Sequence, residues 1–232
     1  MINYLISPQH VEIENADITV KVKFLINSCA YCFGFMTLSI FFIASMDSFI
    51  VNCLDLPSIS ATLNKNNIEL KESKGYYSYF LVLLIGPFWE EIVFRLPLIL
   101  NVRSIGISLG VLVYRYIGEN IYFNFYNSHD YLRLFFALNA FFLVVRYLNV
   151  SFLLNIRENY FKHFFYLTAI LFALVHIQNF AASDYRLFIF YPIYVLPQFI
   201  MGLFIGNIRM KYGFLWGLLL HSLINLPSAL LT

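Results

Sequence analysis

The sequence predicts an all-α, polytopic transmembrane helix bundle of about seven helices, and three observations carry that prediction. Of 232 residues, 60% are apolar and 12% charged, whereas a soluble domain carries about 25% charge. Mean hydropathy is +0.73, and 26 Phe with 17 Tyr bring more apolar surface than one water-facing domain can hide. Long runs without charge recur along the chain, and a spanning helix needs about 20 such residues because its backbone must satisfy itself where water is absent. This composition argues against both a soluble globule and a disordered chain.

The elements follow in order. Residues 1–23 place Glu12, Glu14 and Asp17 ahead of any apolar run, the wrong order of charges for a signal peptide, and read as a polar N-terminal segment. Stretch 24–46 has no charge and is the first span. Cys29 and Cys32 inside it are spaced as C-x-x-C, but in an apolar run free cysteine behaves as a small hydrophobe. The polar connection 55–75 completes a region 24–75 that carries no assignable motif, and 76–232 forms the remaining unit.

Span 76–102 is apolar but holds Glu90, Glu91 and Arg95 at its middle. Span 104–123 is the weakest, with Arg115 and Glu119 four apart as an i,i+4 bridge. Span 134–156 is interrupted by Arg146, span 164–183 carries only His176, span 187–208 has no charge, and span 213–232 carries only His221. Three small-xxx-small pairs, Gly106/Gly110, Gly202/Gly206 and Gly213/Gly217, let helix backbones approach closely. The net charge of +2, from 15 basic and 13 acidic residues, is scattered, which argues against a nucleic-acid footprint or a polybasic switch. The lipid bilayer is the partner the composition calls for.

Three polar constellations break the apolar spans, and ionisable groups at membrane depth are expensive enough to need a reason. In Glu90-Glu91-Ile92-Val93-Phe94-Arg95 the adjacent carboxylates point about 100° apart, and Arg95 shares a face with Glu91. Pairing of Glu91 with Arg95 leaves Glu90 free in a low dielectric, a setting that suits a general base. Pro87 just upstream frees a carbonyl, which protein or water must re-satisfy. His176 is the second constellation, with Phe172 one turn earlier as a packing wall and Gln178 and Asn179 just beyond. His221 and Asn225, four apart, are the third: two neutral donors that either bridge helices or stabilise charge on a carbonyl oxygen. One free Glu, two His and one Asn on three helices supply a base, an orienter and an anion hole, as water-mediated peptide hydrolysis requires. H-E-x-x-H does not occur.

The motifs Glu90-Glu91-x-x-x-Arg95, Phe172-x-x-x-His176 and His221-x-x-x-Asn225, in that order on separate spans, resemble the CAAX-protease and bacteriocin-processing (CPBP, or Abi) family of integral membrane peptidases. The resemblance implies an intramembrane active site in which Glu90 and His176 activate water, His221 and Asn225 form the oxyanion hole, and Glu91 with Arg95 hold the first glutamate's helix, Phe172 supporting His176. It implies a glutamate-type endopeptidase without a cofactor, although two His and one Glu leave a Zn²⁺ variant open. The implied reaction is hydrolysis near the C-terminus of a membrane-associated peptide or lipidated protein; eukaryotic members act on prenylated CAAX proteins. The implied location is a prokaryotic cell membrane, with several passes. One departure stands out: where many members carry a glycine after the arginine, this chain has Leu96 followed by Pro97. The alternative reading is a non-proteolytic bacteriocin self-immunity or partner-binding protein of the same family. A transporter is disfavoured, since no internal repeat relates two halves of the chain.

Overall fold

The computed structural model describes residues 1–61, 77–117, 125–180 and 185–231. Among these, seven long helical segments follow a short helix α1 (Ile2–Ile6): α2 (Ile18–Leu54), α3 (77–99), α4 (Val102–Tyr116), α5 (Ser128–Tyr147), α6 (Val150–Asn179), α7 (Leu196–Tyr212) and α8 (Phe214–Leu231). No strand occurs among the described residues, and the chain is an all-α bundle as its composition requires. Among the described residues three helices are long and apolar enough to cross a membrane: α2, α5 and α6. Their surfaces say the same: Phe41 is 68% exposed, Phe142 61% and Leu143 57%, an arrangement that water would penalise and lipid does not.

Helix α7 is the hub. It packs against α2, α6 and α8, and buries Met201, Phe204, Ile205 and Ile208 with Leu25 and Cys32 of α2, Phe172 of α6 and Leu220 of α8 in one core. Small residues set these distances. A Cβ at Gly202 would come 3.2 Å from the Phe172 ring, and one at Gly206 2.7 Å from Phe165, so α6 sits against α7 only because both positions lack a side chain. Gly106 and Gly110 do the same for the α4–α5 hairpin, facing Phe141 and the Ala137 carbonyl. Cys32 is fully buried, its thiol directed at the Met36 sulfur at 3.6 Å.

Two apolar stretches are not the continuous spans their hydropathy suggests. The 134–156 span is divided: α5 ends at Tyr147, and the Asn149 side chain accepts a hydrogen bond from the Ser151 N–H at 2.8 Å, capping a new helix. The 187–208 span is divided too, by a turn at Val195 between a short helix Tyr191–Tyr194 and α7. Pro192 and Pro197 each stand in the first turn of their helix, where a missing N–H is harmless. The 76–102 span ends as α3 at Ile99; Leu100 takes a left-handed conformation (φ 53°), and Asn101 caps α4 by accepting from the Ser104 N–H at 2.7 Å. Glu119, most of the 55–75 connection and Ser183 lie outside the described residues.

Candidate active site

Helix α3 is irregular by construction. Its pitch widens to π geometry over Leu81–Ile85, returns to α over Gly86–Glu90, widens again over Glu91–Arg95 and tightens to 3₁₀ over Leu96–Ile99. Such π turns concentrate at functional sites, and two prolines account for the broken ladder here. Pro87 has no N–H to give the Leu83 carbonyl, and the Ser222 hydroxyl donates to that oxygen at 2.6 Å. Pro97 likewise leaves the Val93 carbonyl without its ladder partner, and the Ser108 hydroxyl donates to it at 2.5 Å. Asn225 adds a third tie, its amide donating to the Val82 carbonyl at 3.1 Å. Helices α8 and α4 thus close the hydrogen bonds that α3 cannot close itself, as membrane depth demands.

The opened helix carries two glutamates into different surroundings. Glu91 is fully buried. Its Oε1 lies 3.0 Å from His221 Nδ1 and 3.6 Å from Arg95 Nε, while its Oε2 is 3.3 Å from where a Cβ on Gly217 would stand. Arg95, 1% exposed, places its guanidinium 3.7 Å from the Phe172 ring centroid, a desolvated cation–π contact. Phe172 in turn meets the rings of Phe94, His176 and His221 edge-on, at 5.6, 4.7 and 5.7 Å. The aromatic wall expected at Phe172 is therefore the piece against which Arg95 and both histidines are set.

Glu90 faces the other way. Its side chain is 32% exposed, and its Oε2 lies 4.0 Å from His176 Nε2 and 3.4 Å from His221 Nε2. The second distance is in ion-pair range without hydrogen-bond alignment. At His176 the helix tightens from α to 3₁₀ pitch, and the imidazole Nδ1 takes the Phe172 carbonyl at 2.7 Å. A carbonyl only accepts, so the Nδ1 of His176 holds a proton, and in the neutral form of the ring the Nε2 lone pair faces Glu90. Two acceptors 4.0 Å apart are well suited to share one water between them. His221 is set between the two glutamates: its Nδ1–H donates to the Glu91 carboxylate, and its Nε2 is directed at Glu90.

A cavity of about 180 Å³ opens beside Glu90 and His176. Gly86, Trp89 and Glu90 line it from α3, Gln178 and Asn179 from the end of α6, and Arg115 from α4. Among the described residues no group of three His, Cys, Asp or Glu side chains is disposed to hold a metal ion.

The structure brings Glu90, Glu91, Arg95, Phe172, His176 and His221 into one cluster. Asn225 lies one turn beyond His221 with its amide on the Val82 carbonyl. The contacts of Ser108, Ser222 and Gly217 escape motif reading, since the glycine pairs Gly106/Gly110 and Gly213/Gly217 speak only of close approach, although Pro87 and Pro97 in an apolar span signal that hydroxyl donors are needed somewhere opposite them.

A family model for type II CAAX prenyl endopeptidases, Rce1-like, matches residues 72–227. The chain belongs to this family. No curated protein and no solved structure matches it. The matched region contains every residue of the cluster around Glu90. Membership of the Rce1-like family makes this an integral membrane protein of the CAAX-protease class, one that works at the lipid bilayer on peptide or prenylated substrates.

Proposed function

We propose that this Rce1-like chain is a glutamate-type intramembrane endopeptidase that hydrolyses a peptide bond near the C-terminus of a membrane-associated, prenylated substrate. The observation that carries this reading is the Glu90 carboxylate held 4.0 Å from His176 Nε2 and 3.4 Å from His221 Nε2 at the edge of a cavity. A water bridging Glu90 and the lone pair of His176 is polarised from both sides. Glu90 takes one proton as the water oxygen adds to the scissile carbonyl. His221, oriented by Glu91 and carrying a proton on each ring nitrogen, donates from Nε2 to the developing oxyanion. When the C–N bond breaks, the proton held by Glu90 passes to the departing amine, so water is divided between the new carboxyl and amino termini.

Asn225 is the oxyanion partner of His221 in this scheme. With its amide on the Val82 carbonyl it holds α8 against the opened part of α3, and it donates to substrate when that tie is exchanged on binding. Residues 76–232 form the peptidase unit, while 1–23 and 24–75 anchor it. Glu90, His176, His221 and Asn225 act without a metal, and the protein sits in a prokaryotic cell membrane as a multi-pass enzyme.

The test is cleavage of a farnesylated CAAX peptide by purified protein in detergent, for wild type, Glu90→Gln and wild type with a strong chelator. Loss of turnover in the variant with full activity under chelator is the expected result. Undiminished turnover by Glu90→Gln overturns the assignment of Glu90, and loss under chelator overturns the metal-free scheme.

A further inference from the structure

Arg115 has no part in the scheme above, and four observations converge on it. It lines the same cavity as Glu90 and His176. It stands on the face of α4 that meets α3: Ser108, which donates to the Val93 carbonyl, is seven residues earlier, and positions i and i+7 share a helix face. The last turn of α4 is also held in place. Arg133 of α5, itself buried and paired with Asp130 at 2.6 Å, donates to the Tyr114 carbonyl from Nε at 3.1 Å and from Nη2 at 2.9 Å. Finally, α4 packs closely on 91–99 of α3 and much less on Gly86–Glu90, so the two helices splay where the cavity opens.

The bland readings of Arg115 are an i,i+4 bridge to Glu119, which lies outside the described residues, and a basic residue favoured at a helix C-terminus by the macrodipole. Neither reading accounts for its place on the wall of the cavity that Glu90 and His176 also line. A guanidinium there suits an anionic ligand group, and it pairs a planar carboxylate better than any other side chain.

The lengths agree with one particular anion. From Ser108 to Arg115 the helix advances about 10 Å, and because α3 and α4 run antiparallel Glu90 lies about 4–5 Å from Val93 in the same direction, so about 6 Å along the axis separates Glu90 from Arg115, roughly two extended residues before the reach of the arginine side chain is added. Glu90 lies a turn of α3 from Val93, the residue that Ser108 marks. A peptide bond presented to Glu90 and His176 therefore leaves room for a short C-terminal segment reaching Arg115, with the Gln178 and Asn179 carboxamides lining its path.

We propose that Arg115 binds the free C-terminal carboxylate of the substrate and so sets how far from the chain end cleavage occurs. This rests on the endopeptidase reading above, and its chemistry is binding alone: the carboxylate replaces water on the guanidinium and no covalent step is added.

The experiment compares a farnesylated peptide ending in Cys-Val-Ile-Ala as the free acid with the same peptide as its C-terminal amide, for wild type, Arg115→Gln and Arg115→Lys. Wild type is expected to favour the acid by about 10-fold or more in kcat/KM, the gain lying in KM. Arg115→Gln brings the acid-to-amide ratio to about one, and Arg115→Lys recovers part of it. A ratio unchanged by Arg115→Gln, or a wild type indifferent to the end group, overturns the proposal. Binding of the tripeptide Val-Ile-Ala, acid against amide, to wild type and Arg115→Gln is measured by calorimetry as well. It reads the carboxylate preference without catalysis, so a protein that cleaves nothing but binds the acid through Arg115 refutes the peptidase reading alone, and equal binding of acid and amide refutes the carboxylate site.

Discussion

Glu90 and Glu91 are chain neighbours with the same side chain, yet they occupy two regions of the molecule that differ in every physical respect. On one side of α3, Glu91 is sealed with Arg95 and His221 behind the Phe172 ring. On the other, Glu90 is one-third exposed to a cavity with His176 across it and Arg115 along its wall. A helical step of about 100° separates them. The sealed side spends its charges on each other and keeps a shape; the open side leaves a carboxylate to act on what enters.

The largest effects come from exchanging the two carboxylates for amides. Glu91→Gln leaves Arg95 and His221 without their buried counter-charge, and removing one partner of such a pair costs about 3–5 kcal/mol. Thermal unfolding in detergent should show that loss directly. Glu90→Gln should cut turnover about 10²–10⁴-fold, the share of a positioned base, with a melting temperature close to wild type. If the Glu91 variant melts like wild type, or the Glu90 variant is the unstable one, the division between the two regions is wrong.

Gly217 sharpens the comparison at the sealed side. A Cβ there would meet Glu91 Oε2 and Arg209 Cβ, each at 3.3 Å, so Gly217→Val forces the ion cluster apart. Overpacking of this kind costs about 1–3 kcal/mol. Activity should fall with stability, because His221 moves with Glu91. A Gly34→Val control on α2, where a Cβ would meet nothing within 4 Å, should change neither.

Phe172→Leu tests the wall between the regions. It keeps apolar volume but removes the π face beneath Arg95 and the edge contacts to both histidines, at about 1–2 kcal/mol for a desolvated cation–π pair. Turnover should drop more than stability accounts for, since His176 loses the ring that sets its angle. Equal loss in both would make Phe172 a packing residue only.

Much of this was legible in the chain. Composition alone settles an all-α membrane bundle, and i,i+4 spacing already pairs Glu91 with Arg95 and leaves Glu90 apart. The helix ends were harder, because a hydropathy window sums side chains and is blind to a cap. Asn149 interrupts an apolar stretch through one side-chain hydrogen bond, and the turn at Val195 changes no hydropathy at all. Contacts between helices distant in sequence were out of reach for another reason. The place of Arg115 on the cavity wall follows from how α4 splays from α3, which no spacing within the chain reveals. Gly217 carries a small-xxx-small signature, which speaks of close approach but not of a carboxylate filling the space.

The smallest expected effect concerns the two proline–serine closures, one on each region. Ser222→Ala leaves the Leu83 carbonyl without its donor on the π segment before Pro87, and Ser108→Ala does the same for Val93 before Pro97. Each should cost about 1 kcal/mol. The two are separable by what they disturb: Ser222 stands next to His221, so its loss should reach turnover, whereas Ser108 ties α4 and should alter the acid-to-amide ratio that reports on Arg115. Restoring the missing donor provides the control. Pro87→Ala supplies an N–H for the Leu83 carbonyl, so the Ser222→Ala/Pro87→Ala pair should be more stable than Ser222→Ala alone, with a coupling energy of about 0.5–1 kcal/mol in a double-mutant cycle. Additive behaviour would mean that the carbonyl was never waiting for that proton, and that the widened turn before Glu90 owes its shape to something other than proline.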